Sequence, residues 1–242
     1  MKALILAAGY ATRMYPLTEN QPKPLLKIRG IPIIKHILDK ISGLPLTEVY
    51  VVTNARFYEN FRTYLNDFNF PFKLTLVNDG TLSKDDRLGA VGDLNYVLKE
   101  EDADTDLLVL GGDNLFEDDL KGMLSSFHKG DGSIVALYDV KSKELVKLYN
   151  NLEMDKNHRI IKFIEKPRDP TSSLMATLIY FLKKGHLKYV HEAIKHGHAD
   201  HAGDFIRFLS EKEKVYGLPL KGKWFDIGSL DQLKEAEKEW KR

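Results

Sequence analysis

The sequence predicts an α/β fold, and three observations carry that prediction. The chain opens on a short apolar run, Lys2 to Ala8, that closes in small residues around Gly9, as a buried strand does on entering a tight turn. Residues 31–68 then alternate helix, strand and helix, a repetition that implies parallel strands joined by right-handed crossovers. A second continuous apolar run, Leu107 to Leu110, leads into Gly111-Gly112-Asp113. It delivers a carboxylate at the C-terminal end of a strand, where ligands of open α/β sheets gather.

Ile33, Ile34, Ile37, Leu38 and Ile41 recur at helical spacing within 31–41, with Lys35, Asp39 and Lys40 off the stripe. Glu48 to Asn54 reads as a buried strand, Tyr58 to Phe68 as a second helix and Phe72 to Asn78 as the next strand. Asp79 to Leu94 is a polar loop running into a helix that carries Gly89 and Gly92 in its first turn; Arg87 there suits a nucleotide contact and a solvated charge equally. Asp113 taken alone is either a metal-binding carboxylate or a turn residue, while Asp118 and Asp119 read as helix-start charges.

Gly132 to Val140 is a further strand and Lys147 to Lys156 a less regular link. Arg159 to Pro167 alternates as a strand, and Lys162 and Lys166 would by themselves serve to discourage edge pairing. Met175 to Phe181 is another strand. Five histidines, His186, His191, His196, His198 and His201, fall on a polar helix and its exit and read as a solvated, incidental set. Asp204 begins an amphipathic helix, and Ser229 has the character of an N-cap for a last helix over Leu230 to Trp240.

With 242 residues, 43% apolar and 29% charged, the chain suits one large α/β domain with a sizeable core. A formal net charge of +1, from 36 basic and 35 acidic residues, gives no global field for nucleic acid or a membrane surface, so anionic ligands must be held locally. The absence of cysteine removes disulfides and thiolate catalysis. No signal peptide and no 18-residue apolar run is readable, which fits a soluble cytoplasmic protein.

The glycine turn after the first strand is suited to phosphate, since backbone N–H groups converge there on an anion. Arg13 lies within reach for bidentate contacts and Lys23 as a compact point charge. Together, Leu6-Ala7-Ala8-Gly9-Tyr10-Ala11-Thr12-Arg13-Met14-Tyr15-Pro16-Leu17-Thr18 and Pro22-Lys23-Pro24-Leu25-Leu26 resemble the signature of the sugar-phosphate nucleotidylyltransferases, the NDP-sugar pyrophosphorylases. Gly111-Gly112-Asp113, Glu165-Lys166-Pro167 and Trp224-Phe225-Asp226-Ile227-Gly228-Ser229 follow in family order. Two residues depart from the pattern: Ala11 stands where the family has a second glycine, and alanine disfavours a positive φ; Leu178 stands where a strand glycine is usual, which would narrow the sugar side of the pocket.

The resemblance implies a single Rossmann-like nucleotidyltransferase domain over 1–242, with a mostly parallel mixed sheet and no hexapeptide-repeat extension. It implies a Mg²⁺-dependent reaction of an NTP with a sugar 1-phosphate to give an NDP-sugar and pyrophosphate. Arg13, Lys23 and Asp113 would be catalytic, and Asp113 and Asp226 would hold the Mg²⁺. Leu6, Ala7, Ala8, Gly9, Tyr10, Ala11, Thr12, Asn78, Gly89 and Gly112 would line the nucleotide. Glu165, Lys166 and Tyr180 would hold the phosphorylated substrate. Neither nucleic acid nor a membrane is an expected partner, and a homo-oligomer is allowed. Two alternatives share these residues: a cytidylyltransferase for phosphocholine or another non-sugar phosphate, and a catalytically inactive nucleotide-sugar-binding regulator.

Overall fold

The computed structural model describes residues 1–101 and 103–241. Its centre is β1 (Lys2–Leu6), flanked in parallel by β4 (Glu48–Thr53) and β6 (Leu107–Gly111), with β5 (Lys73–Asn78) parallel to β4 at one edge. On the other side β11 (Leu174–Leu182) runs antiparallel to β6 and to β8 (Ser133–Asp139), and β12 (Val215–Pro219) closes the sheet parallel to β8. The seven strands thus lie in the order β12-β8-β11-β6-β1-β4-β5. This is the mostly parallel mixed sheet that the family resemblance implied.

Period-two alternation on the central strands feeds two cores, one on each face. Ala3, Ile5, Val49, Val51, Leu108 and Leu110 point to one side, and Leu4, Tyr50, Val52, Leu107 and Val109 to the other. The first face is covered by α1 (Ile33–Ile41), α2 (Tyr58–Leu65), α4 (Lys121–Lys129) and α8 (Leu230–Glu239). The predicted stripe of α1 is buried, and Lys35 and Asp39 pair outside it at 2.6 Å. The second face is covered by α3 (Ala90–Glu100), α6 (Lys188–Lys195) and α7 (Ala202–Lys212).

Smaller elements trim the sheet: the hairpin β2 (Lys27–Ile28) and β3 (Ile31–Pro32), the short helix α5 (Lys143–Val146), and two two-stranded units. One unit pairs β7 (Asn114–Phe116) with β13 (Trp224–Asp226), and the other pairs β9 (Asn150–Met154) with β10 (Ile160–Glu165). The strand β9 occupies the stretch expected to be irregular. Asn150 disguises it, because its side chain imitates a strand partner, taking the Ala176 N–H at 2.7 Å and donating to the Ala176 carbonyl at 3.1 Å. His186 also differs from expectation. It is buried, with Nδ1 2.8 Å from the Ser133 hydroxyl, and burial holds its pKa below the usual value. Asp119 starts α4 as expected by accepting the Lys121 N–H, whereas Asp118 accepts the N–H groups of Lys221 and Gly222 across the molecule.

Candidate functional site

The site is built where the chain leaves β1, β6 and β13. After β1 it tightens into a 3₁₀ turn over Thr12–Met14, entered through Ala11 at φ 47° and ψ 38°, a left-handed conformation that costs an L-residue energy. Hydrogen bonds hold it there: the Ala11 carbonyl accepts from the Met14 N–H at 2.9 Å and from the Thr18 hydroxyl at 2.8 Å. The residue that departs from the expected glycine therefore sits in a glycine-favouring conformation.

After β6, Gly112 passes over the end of β1, donating its N–H to Leu6 O at 2.9 Å. A Cβ at Gly112 would lie 2.9 Å from that same oxygen, so a side chain is excluded. This crossing presents Asp113, whose Oδ2 pairs with Lys23 Nζ and whose Oδ1 accepts from Asn114 Nδ2 at 2.8 Å. Trp224 Nε1 in turn donates to Asn114 Oδ1 at 3.0 Å. Pairing of β7 with β13 sets Asp226 opposite Asn114, and the Ile227 N–H donates to the Asp113 carbonyl at 3.0 Å. Two carboxylates far apart in sequence are thereby locked side by side.

Their charges are unequally balanced. Burial raises the Asp113 carboxyl, but the Lys23 ammonium and the Asn114 amide outweigh it and hold the group below the usual carboxylate range. Burial, with the charge of Asp113 added, pushes Asp226 up to about 7, only partly offset by Lys23 and Arg13. Among the described residues no group of three or more His, Cys, Asp or Glu is arranged around a metal. The Asp113–Asp226 pair instead fits Mg²⁺, which takes one or two carboxylates and completes its shell with water and substrate phosphate.

Two cavities meet at this point. One of about 380 Å³ is lined by Leu6, Ala7, Gly9, Tyr10, Ala11, Thr12, Arg13, Lys23, Gly112 and Asp113. The other, of about 1070 Å³, is lined by Glu165, Lys166 and Tyr180 together with Asp226 and Trp224. Arg13, Asp113 and His201 border both. Ala8 lies beneath the loop, its carbonyl accepting from Asn54 Nδ2 at 2.8 Å. Asn78 and Gly89 are not brought to either cavity wall: Asn78 is exposed at the end of β5, and Gly89, at φ 80°, packs against Ala199. Arg87 lines the smaller cavity and forks onto Asp200 at 3.2 and 2.8 Å.

In the larger cavity Glu165 Oε2 is buried without a hydrogen-bond partner. Burial raises the Glu165 carboxyl, and Asp204 adds to this while His201 and Lys166 oppose it. Lys166 adopts φ 46°, with its N–H on the Tyr149 carbonyl at 2.7 Å. Burial, then the nearby Glu165, drives the Tyr180 hydroxyl well above the ordinary tyrosine range. Leu178 lines this cavity with Leu145, Leu148 and Met175, giving it an apolar wall. His201 is exposed, as the solvated reading of the histidines had it, and also borders both cavities; Asn114, directly after Asp113, was not singled out from the sequence.

Residues 2–242 match the family model described as nucleotidyl transferase. The chain belongs to the nucleotidyl transferase family. Within it, the chain is 32% identical over 240 residues to the bifunctional protein GlmU of Methanocaldococcus jannaschii, covering 98% of this chain and 54% of the relative. It is 28% identical over 229 residues to a putative mannose-1-phosphate guanyltransferase of Sulfolobus acidocaldarius, covering 94% of this chain and 60% of the relative. The chain thus spans about half the length of the curated relatives it matches. The fold matches a putative glucose-1-phosphate thymidylyltransferase from Bacillus anthracis with a TM-score of 0.85 at 23% identity, covering 98% of this chain and 94% of that one. It also matches a UDP-glucose pyrophosphorylase crystallised with UDP-glucose, with a TM-score of 0.82 at 23% identity, covering 98% and 97%. No helix among the described residues is long and apolar enough to cross a membrane.

Proposed function

We propose that this nucleotidyl transferase joins an NTP to a sugar 1-phosphate, giving an NDP-sugar and pyrophosphate. The observation that carries the reading is the position of the Lys23, Asp113 and Asp226 cluster at the junction of two cavities, one walled by the glycine turn and one by Glu165, Lys166 and Tyr180. The acceptor's phosphate oxygen attacks the α-phosphorus of the NTP, and the bond from that phosphorus to the bridging oxygen breaks as pyrophosphate leaves. The nucleophile is already an anion, so the protein needs no strong base; alignment and charge neutralisation suffice. Arg13 holds the β- and γ-phosphates, Lys23 the α-phosphate, Lys166 the acceptor phosphate and Glu165 the acceptor's hydroxyls. Asp113 and Asp226 would hold Mg²⁺, which supplies charge neutralisation at the reacting phosphates.

A reading with phosphocholine or another non-sugar phosphate as acceptor draws on the apolar wall of Leu145, Leu148, Met175 and Leu178. One experiment separates the two. Five NTPs are assayed against hexose 1-phosphates, amino-sugar 1-phosphates and phosphocholine, scored by pyrophosphate release with Mg²⁺. Turnover with a sugar 1-phosphate supports the first reading, turnover with phosphocholine alone replaces it, and binding without turnover by any pair points to a regulator.

A further inference from the structure

A buried chain of polar groups runs from Tyr10 of the phosphate-side loop into α3, through Thr81, Asp79 and Asp93, which were given no role above. The Tyr10 hydroxyl lies 2.9 Å from Thr81 Oγ1, while the Thr81 hydroxyl and N–H both reach Asp79 Oδ1, at 2.8 and 2.7 Å. The single hydroxyl proton of Thr81 is committed to Asp79, so Tyr10 is the donor to Thr81. Beyond Asp79 stands Asp93 in the first turn of α3; the two residues are 7% and 6% exposed. Asp79 Oδ2 and Asp93 Oδ1 are both buried with no hydrogen-bond partner, and each carboxyl group lies close enough to act on the charge of the other. Two ionised carboxylates repel there, whereas one proton between them makes a charge-assisted bond.

We propose that Asp93 is kept as a neutral acid, that its proton is donated to Asp79, and that this buried bridge positions Tyr10 and the phosphate-side loop for triphosphate binding. The relay is then consistent from end to end: Tyr10 donates to Thr81, Thr81 to Asp79, and Asp93 to Asp79 from the opposite side. Burial, then the charge of Asp79, pushes the Asp93 carboxyl up to about 8. The charged neighbours of the network are Asp86, which acts on Asp79 and Tyr10, and Arg56, which acts on Tyr10. Ionisation of Asp93 sets two negative charges against each other and removes the donor that fixes Asp79. Asp93 is thus a positioning residue, three hydrogen bonds behind the tyrosine it controls.

The first half of this inference stands without any ligand, and the second half rests on the nucleotide reading, so the test has two readouts. Folding stability of wild type and Asp93→Asn is measured from pH 4 to 10. A raised carboxyl pKa gives stability that is greatest at low pH and falls as pH rises from the unfolded value to the folded one. The wild-type folding constant should therefore drop relative to Asp93→Asn by up to about tenfold per pH unit between about 4 and 8, then level. Identical profiles overturn the shared proton. Binding of a non-hydrolysable triphosphate with Mg²⁺ is then followed calorimetrically from pH 7 to 10. Wild-type affinity should fall by up to about tenfold per unit above pH 8 and should not vary with pH in Asp93→Asn, whose amide keeps a donor without a charge. In Asp79→Asn the wild-type step should move to lower pH, because the neighbouring charge is gone. A stability slope with pH-independent affinity overturns the link to Tyr10. A stability slope with no triphosphate bound at any pH overturns the nucleotide reading and the positioning half together, leaving the proton pair established.

Discussion

Gly203 and Glu165 face each other at the edge of the larger cavity so closely that a Cβ on Gly203 would lie 2.8 Å from Glu165 Oε2. The glycine leaves room for a carboxylate oxygen that the protein itself does not satisfy. Gly203→Ala should therefore push Glu165 out of position. The expected outcome is a loss of roughly tenfold or more in kcat/KM for the acceptor, with the KM for NTP unchanged. Steady-state kinetics with each substrate varied in turn checks it; an equal effect on both substrates would show a general disturbance of α7 rather than of Glu165.

Removing either carboxylate of the central pair should abolish most turnover. Asp113→Asn and Asp226→Asn are each expected to lower kcat by roughly two orders of magnitude or more, as when a charge-stabilising group is lost. Excess EDTA should silence the wild type, and added Mg²⁺ should restore it. Full turnover in EDTA would remove the metal role from Asp113 and Asp226.

The left-handed Ala11 gives a prediction on stability. Glycine pays no steric penalty at φ 47°, so Ala11→Gly should stabilise the fold by about 1 kcal/mol, a rise of roughly 2–4 °C in Tm for a chain of this size. Thermal unfolding of the two proteins measures it. A fall in Tm would mean that the flexibility added to the unfolded chain outweighs the strain relieved.

Acid should weaken the sheet through Glu48, which ties three strands together. Burial alone would raise its carboxyl, but hydrogen bonds from Lys73, Thr75, Tyr50 and Lys2 bring it down to about 2. A depressed carboxylate pKa contributes stability that is present above the ordinary value of 4.5 and is lost as pH falls towards 2. Discounted for solvent screening, the contribution is on the order of 1–2 kcal/mol. Glu48→Gln should remove that amount at pH 7, and the difference from wild type should shrink as pH falls below about 4.5 and level only below about 2. A difference between the two proteins that stays constant from pH 7 to 2 would show that Glu48 acts by packing alone.

The strongly periodic parts of this fold were legible because one cause dominated them. The stripe of α1 and the apolar runs of β1 and β6 follow from burial, and their positions agree with the sequence reading to within a residue or two. What was not legible depends on partners distant in the chain. Asn150 and Asn151 are poor strand formers, and β9 exists because their side chains bond the backbone around 171–176. His186 gives no local sign that Ser133 awaits it. At the site, Lys23, Asp113 and Asp226 were each readable from a motif, but the ion pair between the first two and the unequal protonation of the last two arise only when separate turns converge. The Asp79–Asp93 pair left no signal, since two acids fourteen residues apart look like ordinary surface charges until a helix turns one of them inward.

The two-stranded unit of β7 and β13 also fixes when the site comes into being. Synthesis proceeds from the N-terminus, so the strands of the main sheet are all made once Pro219 has been added. Lys23 and Asp113 are both in place in the chain by then, whereas Asp226 lies on β13, the partner of β7, and is not yet made. Every strand of the main sheet is therefore synthesised before Asp226, and the two carboxylates become neighbours only once β13 has paired with β7.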